Sequence, residues 1–242
     1  MSRKALDGAE RRRIYLLRHA ETSYVDEQGN AIPDSRSVPL TARGREQADE
    51  MARMLAPIAF DAAICSGLPR TRETATRILA GRGLTIEDFP ALEEIRPGHA
   101  VLQSDFDLMR DVAYAGKRAA SLNASLLGGE TFADFRERVV GGVESLLARA
   151  DWSTIILVCH GGTNAMILAW VLDAGLDAFG AIEQDSCCLN VIDIDVGREN
   201  EPRSNILRKY VRALNVTAYD PAKSAIDLTA WETIARSLLG MG

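Results

Sequence analysis

Two short apolar runs, each leading into a histidine, constrain the fold of this chain most strongly. Residues 14–17 lead into Arg18 and His19, and residues 155–158 lead through one cysteine into His160. Each run is short, β-rich and followed by loop and helix signals, which is typical of a buried strand in a parallel sheet. Ligands of open α/β sheets bind beyond the carboxyl ends of the strands, so the two histidines are predicted to meet over one site.

The remaining pattern predicts regular alternation of strands and helices. Strands are predicted at 13–18, 60–65, 84–86, 154–159, 187–195 and 205–212, and helices at 42–56, 69–79, 131–149, 162–173 and 231–239. Such alternation is typical of an α/β protein, here a three-layer sandwich with a mostly parallel central sheet and helices on both faces.

The domain organisation follows from length and periodicity. The 242 residues suit one large domain, which we expect to span 13–242. Residues 1–12 are basic and lack an apolar segment, so they are interpreted as a flexible tail without a signal peptide. Residues 97–127 are less periodic and are predicted to form a partly helical insertion over the site.

Composition excludes several classes of function. The formal net charge of -6 argues against general nucleic-acid binding, which depends on Lys and Arg. No apolar stretch is long enough to span a bilayer, so no membrane role is expected. The four cysteines lie in or beside apolar runs without metal-site spacing, and we interpret them as buried residues of a cytoplasmic protein. They are Cys65, Cys159, Cys187 and Cys188.

The residue types around the two histidines suit phosphoryl transfer. A neutral imidazole can attack phosphorus, and the planar fork of an arginine can hold two phosphate oxygens. Arg70 follows the strand at 60–65 and should lie at the same sheet edge as Arg18. Glu94 follows another short strand and could supply a proton. With no clustered carboxylates, neither a metal nor a cofactor is expected.

Six segments then fall in an order typical of one family. They are Arg18-His19-Ala20-Glu21-Thr22, residues 38–48, residues 65–75, Leu92-Glu93-Glu94-Ile95 with Gly98, Gly128-Gly129-Glu130, and His160-Gly161-Gly162. Together they resemble the motifs of the histidine phosphatase superfamily, the phosphoglycerate-mutase-like proteins, over most of the chain. The resemblance implies that family's fold and its phosphohistidine chemistry.

The resemblance also implies a role for each matched residue. His19 would be the nucleophile that forms a phosphohistidine, and Glu94, favoured over Glu93 by its place in the motif, would donate and later accept the proton. The phosphoryl group would be bound by Arg18, Arg70 and His160, with further contacts from Thr22 and Gly161.

Three functions are compatible with this pattern. The leading one is a metal-independent phosphomonoesterase acting on a small phosphorylated metabolite, as a monomer or a homodimer. The second is a phosphoglycerate mutase, which needs basic residues to hold the substrate carboxylate, and the third is a non-catalytic phospho-ligand-binding module. The candidate basic residues lie between Glu94 and Gly128 and are Arg96, Arg110, Lys117 and Arg118.

Overall fold

The computed structural model describes residues 3–4, 9–24, 32, 34, 36–98, 109–197 and 206–238. Its strands are β1 (Arg3–Lys4), β2 (Glu10–Arg18), β3 (Ala62–Cys65), β4 (Ile86–Asp88), β5 (Thr154–Cys159), β6 (Leu189–Val196) and β7 (Ile206–Val216). Its α-helices are α1 (Ala42–Leu55), α2 (Pro69–Ile78), α3 (Phe132–Leu147), α4 (Gly161–Val171) and α5 (Ala230–Leu238). Among the described residues, no helix has the length and apolar character to span a membrane.

The described strands form one mixed sheet. Its order is β4-β3-β5-β2-β6-β7, with β1 paired to β2. The four strands from β4 to β2 are mutually parallel, whereas β6 and β7 join antiparallel. β7 follows β6 in the sequence and lies beside it antiparallel, and an antiparallel pair does not need the crossover connection that a parallel pair requires. The α/β class is confirmed, with a sheet that is parallel on one side and antiparallel on the other.

Apolar residues alternate between the two faces of β2 and fill two cores. Ile14 and Leu16 belong to a cluster with α3 and α4, whereas Tyr15 and Leu17 belong to a second cluster with α1 and α2. Successive side chains of a strand point to opposite faces, so helices cover both sides of the sheet. Burial of each such side chain contributes about 1.5–3 kcal/mol, which makes the central strand a rigid base for the residues at its end.

The prediction of a flexible tail over 1–12 is wrong for the residues that enter the sheet. β2 begins at Glu10, and β1 pairs with its first residues. β2 can accommodate charged side chains at its start because Arg11 and Arg13 lie directly opposite Asp195 and Asp193 of β6. Both arginines donate paired hydrogen bonds to these carboxylates, at 2.6–3.0 Å. The run of arginines is therefore the charged partner of a neighbouring strand.

Helix starts agree closely with the sequence signals. Thr41 caps α1 by accepting a hydrogen bond from the Gly44 amide at 2.9 Å. Thr131 caps α3 by accepting one from the Asp134 amide at 3.1 Å. Such caps satisfy amides that have no partner within the helix. The helices predicted at 42–56 and 131–149 thus begin at these caps and end within two residues of the expected positions.

Of the segment predicted as a partly helical insertion, 97–127, the structure describes residues 97–98 and 109–127. The segment contains a π-helical turn, Met109–Ala113, and a 3-10 turn, Ala115–Arg118. Val112 is buried against α5. His99 lies outside the described residues.

Candidate active site

Neighbouring strands bring the two predicted histidines together. β2 and β5 are adjacent and parallel, with Arg18 opposite Cys159 at their carboxyl ends. His19 follows directly after β2 and extends the hydrogen-bond ladder, because its amide donates a hydrogen bond to the Cys159 carbonyl at 2.9 Å. The rings of His19 and His160 consequently lie edge to face, with centroids 5.3 Å apart.

Six of the seven predicted site residues line one cavity of about 620 Å³. They are Arg18, His19, Arg70, Glu94, His160 and Gly161. Thr22 does not join them and lines a neighbouring cavity of about 680 Å³, which adjoins the first at Arg18. A backbone bridge between Thr22 and Leu40 fixes the chain there. The predicted contact of Thr22 with phosphate is therefore not supported by its position.

The hydrogen bond of His19 determines which of its nitrogens can react. Nδ1 lies 2.8 Å from the carbonyl oxygen of Ala20. A carbonyl oxygen can only accept, so Nδ1 carries the hydrogen and Nε2 of the neutral ring keeps its lone pair. Burial, and then the charges of Arg70 and Arg18, hold the pKa of His19 well below its ordinary value. The ring is neutral at neutral pH, as a nucleophile must be.

Two buried or half-buried arginines flank this ring. Arg18 is held by a hydrogen bond to the Gln184 carbonyl at 2.7 Å. Arg70, in the first turn of α2, is 5% exposed. The hydroxyl of Thr74 donates to the Arg70 carbonyl at 2.7 Å and accepts from the Ala20 amide at 3.0 Å. Thr74 thus ties the start of α2 to the chain that carries His19.

A chain of hydroxyl groups orients His160. Thr71 donates its only hydroxyl hydrogen to the Leu68 carbonyl at 2.8 Å. The Ser66 hydroxyl, 3.0 Å from the Thr71 hydroxyl, therefore donates to it and accepts from Nε2–H of His160 at 2.8 Å. The other nitrogen of His160, Nδ1, is buried without a partner among the described residues.

The state of His160 is thus coupled to the occupant of the cavity. Burial, followed by the charges of Arg70, His19 and Arg18, lowers the pKa of His160 well below its ordinary value. With Nε2–H committed to Ser66, only the protonated ring can also donate from Nδ1. A phosphate anion among these groups favours that charged form, so anion binding and protonation of His160 reinforce each other.

Glu94 lines the cavity, and backbone amides fix its carboxyl group there. Its carboxyl oxygens accept hydrogen bonds from the amides of Gly162 at 2.9 Å and Ile95 at 3.0 Å. Burial nevertheless raises the pKa of Glu94 above its ordinary value, because those amides and the charges of Arg70 and Arg18 compensate only in part. A carboxyl group with a raised pKa retains its proton closer to neutral pH and can protonate a leaving oxygen.

The neighbouring carboxylate, Glu93, is occupied elsewhere. It accepts two hydrogen bonds from Arg36, at 2.9 and 3.1 Å, and lies 3.6 Å from Arg96. Burial opposes its ionisation, yet the hydrogen bonds from Arg36 and the nearby arginine charges lower the pKa of Glu93 overall. Glu93 therefore remains ionised and holds two arginines at the cavity mouth, whereas Glu94 lines the cavity.

Sequence reasoning assigned no role to Ser66, Thr71 or Thr74. All three lie in the motif at 65–75, in which a role is predicted for Arg70 alone. Their hydroxyl groups act through partners on other elements, so the spacing alone carries no signal for them. Glu21 accepts a hydrogen bond from Thr41 at 2.7 Å.

Comparison with known proteins agrees with this geometry. Residues 14–206 match the family model of the histidine phosphatase superfamily, branch 1. The chain therefore belongs to the histidine phosphatase superfamily, and both the family and the fold expected from the sequence are confirmed.

Individual relatives fall into two groups. Adenosylcobalamin/alpha-ribazole phosphatase of Escherichia coli K12 is 31% identical over 186 residues, covering 76% of this chain and 90% of the relative. A Salmonella paratyphi A protein named probable phosphoglycerate mutase GpmB is 26% identical over 183 residues, covering 74% and 84%. The crystal structure of the alpha-ribazole phosphatase from Shigella flexneri superposes with a TM-score of 0.65 at 27% identity, covering 84% of this chain and 96% of that one.

Proposed function

We propose that this protein is a metal-independent phosphomonoesterase that acts through a phosphohistidine at His19. The observation that carries the proposal is the hydrogen bond from Nδ1 of His19 to the Ala20 carbonyl, 2.8 Å long. It leaves Nε2 as the nucleophile of a buried, neutral ring in the cavity that also holds Arg18 and Arg70. This combination serves covalent catalysis on an anionic group.

In the first half-reaction, the phosphoryl group of the ester binds between the two arginines. Nε2 of His19 attacks phosphorus, the nitrogen–phosphorus bond forms, and the bond from phosphorus to the ester oxygen breaks. Glu94 transfers its proton to that oxygen, so the product leaves as a neutral alcohol. Arg18, Arg70 and protonated His160 stabilise the charge on the equatorial oxygens.

In the second half-reaction, the roles of the proton carriers reverse. Glu94, now a carboxylate, accepts a proton from a water molecule that attacks the phosphohistidine. The nitrogen–phosphorus bond breaks, inorganic phosphate leaves, and His19 returns to its neutral form while Glu94 is again protonated. Side chains of this protein thus supply the nucleophile, the proton carrier and the phosphate-binding groups of the whole cycle.

The surroundings of the cavity favour hydrolysis over mutase chemistry. Of the four basic residues considered for holding a carboxylate, Arg96 lines the cavity and already pairs with Glu93. Arg118 pairs with Asp111 at 2.8 Å and Lys117 lies over the ring of Tyr114, both away from the cavity. The side chain of Arg110 lies outside the described residues. The alpha-ribazole phosphatase names of the relatives support the same choice.

A cytoplasmic location forms part of the proposal. The four cysteines are all buried and unbridged. Free buried thiols suit a reducing compartment, where structural disulfides are rare.

The experiment uses p-nitrophenyl phosphate with EDTA present, from pH 5 to pH 8. Turnover is expected in the wild type and is expected to be abolished in His19→Ala. Leu122→Ala, at a residue 92% exposed, serves as the matched control and should retain activity. Rapid acid-free quenching should trap an acid-labile, alkali-stable phosphoenzyme in the wild type alone.

Each reading has a contradicting result. Full activity in His19→Ala would refute the assignment of His19 as the nucleophile. If the wild type showed neither a phosphoenzyme nor turnover of any phosphate ester, the protein would be a phospho-ligand-binding module instead. Faster conversion of phosphoglycerate isomers than release of free phosphate would instead establish the mutase.

A further inference from the structure

Many of the side chains that line the cavity around the two histidines are apolar. Six of them come from three separate parts of the chain. They are Ile95, Val112, Leu126, Leu127, Trp231 and Ile234. The cavity volume of about 620 Å³ is within the range of small-molecule sites and exceeds the needs of a phosphoryl group.

Two of these residues lie beyond the part of the chain that matches the family. The match ends at residue 206, whereas Trp231 and Ile234 belong to α5. Both pack with Leu127 around the buried Val112. α5 therefore contributes cavity-lining residues that lie outside the family match.

Hydrogen bonds fix the start of α5 against the cavity. Thr229 and Glu232 form a reciprocal cap, with the Thr229 amide donating to Glu232 at 2.8 Å and the Glu232 amide donating to Thr229 at 3.2 Å. The Ala230 amide donates to the Glu183 carboxylate at 2.9 Å, and Glu183 itself lines the cavity. The position of Trp231 is thus set by contacts on both sides.

We propose that α5 makes this enzyme selective for phosphate monoesters whose alcohol part is apolar, such as an aromatic or branched alkyl group. The inference rests on the proposed function, because it assigns the chemistry of the leaving group at the same site. An apolar group placed against Trp231 and Ile234 gains the free energy of leaving water. A polar group there would lose its hydrogen bonds to water without finding partners among the apolar side chains.

The charges at the cavity mouth are consistent with this selectivity. Arg36 and Arg96 line the cavity, and both are paired with Glu93. A carboxylate on the leaving group would have to compete with Glu93 for these arginines. An apolar group makes no such demand.

The kinetic test compares two esters of primary alcohols, phenethyl phosphate and glycerol phosphate. The wild type should hydrolyse the phenethyl ester with a kcat/KM higher by about 10-fold or more, the range expected for added apolar contacts. Trp231→Ala should reduce this ratio by about 10-fold, with little change for glycerol phosphate. Trp231→Phe, which keeps an aromatic ring, should retain most of the preference.

Thr233→Ala is the matched control on the same helix. Thr233 lines the neighbouring cavity rather than the apolar one, so its replacement should leave the ratio unchanged. Equal kcat/KM for both esters in the wild type, or an equal loss for both in Trp231→Ala, would overturn the proposal.

A binding experiment separates this inference from the proposed function. Calorimetric titration with phenethylphosphonate and methylphosphonate measures the preference without hydrolysis. Tighter binding of phenethylphosphonate that weakens in Trp231→Ala supports the apolar subsite even if no ester is hydrolysed. Hydrolysis accompanied by equal affinity for both phosphonates would refute the subsite and leave the phosphatase standing.

Discussion

The carboxylate of Glu94 occupies the space that a side chain on Gly162 would fill. A β-carbon built on Gly162 would overlap Oε1 of Glu94, while the Gly162 amide donates to Oε2 at 2.9 Å. We expect Gly162→Ala to displace Glu94 and to lower kcat by about 100-fold or more, the usual contribution of a positioned acid. Steady-state kinetics with an alkyl phosphate measures the loss.

Gly141→Ala is the matched glycine control for that variant. Gly141 lies in α3, and a β-carbon there meets no atom within 4 Å. It should retain activity and gain about 0.5–1 kcal/mol in free energy of unfolding, because alanine favours a helix over glycine. Equal activity of Gly162→Ala and the wild type would contradict the position given to Glu94.

The role of Glu94 as an acid predicts a dependence on the leaving group. Glu94→Gln should lose about 100-fold or more in kcat on alkyl phosphates, whose poor leaving oxygen needs a proton. The loss should be much smaller for the phosphorylation of His19 by p-nitrophenyl phosphate, because nitrophenolate is a good leaving group and needs no proton from Glu94. Burst amplitudes and rates on both substrates provide the measurement. An identical loss on both in this step would show that Glu94 acts otherwise.

The buried side chains of His19 and Glu94 predict a bell-shaped dependence of kcat/KM on pH. His19 must be neutral, so kcat/KM falls as pH drops through its pKa, which lies well below 6.5. Glu94 must be protonated, so kcat/KM falls as pH rises through its pKa, which lies above 4.5. The profile is measured on one alkyl phosphate in wild type and Glu94→Gln, which cancels ionisation of the substrate.

The alkaline decline combines loss of the Glu94 proton with loss of the His160 proton, so only the part of the decline that belongs to Glu94 should be absent from the Glu94→Gln profile. Persistence of the whole decline would transfer that part to another group.

Ser66 is predicted to act on phosphate through His160. Ser66→Ala removes the acceptor of Nε2–H, so the ring loses its preferred orientation and its protonated form loses a hydrogen bond. We expect kcat/KM to fall about 10-fold, which is the lower end of the effect of removing an orienting hydrogen bond. Inorganic phosphate should also bind more weakly, most of all at higher pH. A pH series of phosphate inhibition constants provides the readout.

Ser145→Ala on α3 is the control for that series. Its hydroxyl donates to a carbonyl of its own helix at 2.7 Å, and its loss should leave phosphate binding unchanged. A uniform loss of affinity at every pH in Ser66→Ala would indicate a structural role alone.

The sequence predicts those parts of the fold that depend on local pattern. The strand at 154–159 has the predicted bounds because its apolar run is unbroken. β7 extends to Val216, four residues past its predicted end, because its last residues pair with the start of β6, Ala213 with Val191 and Val216 with Leu189. Pairing across strands cannot be inferred from one strand alone.

The candidate site can likewise be predicted from the sequence only in part. His19 and His160 follow from their positions after strands, whereas the orientation of each ring depends on a carbonyl or hydroxyl group fixed by the folded chain. The contribution of Trp231 to the cavity was equally hidden, since helical spacing predicts an apolar face but not the cavity that it meets.

The pairing of β2 with β5 has a consequence for how the protein acquires activity during folding. Arg18 and Cys159 are opposite in the sheet but lie in different halves of the sequence. Contacts so distant along the chain form late and slowly, because the intervening segment must first be ordered. A nascent or truncated chain that ends before β5 has only one of the two histidines. Recovery of activity during refolding should therefore follow completion of the sheet, without an active intermediate.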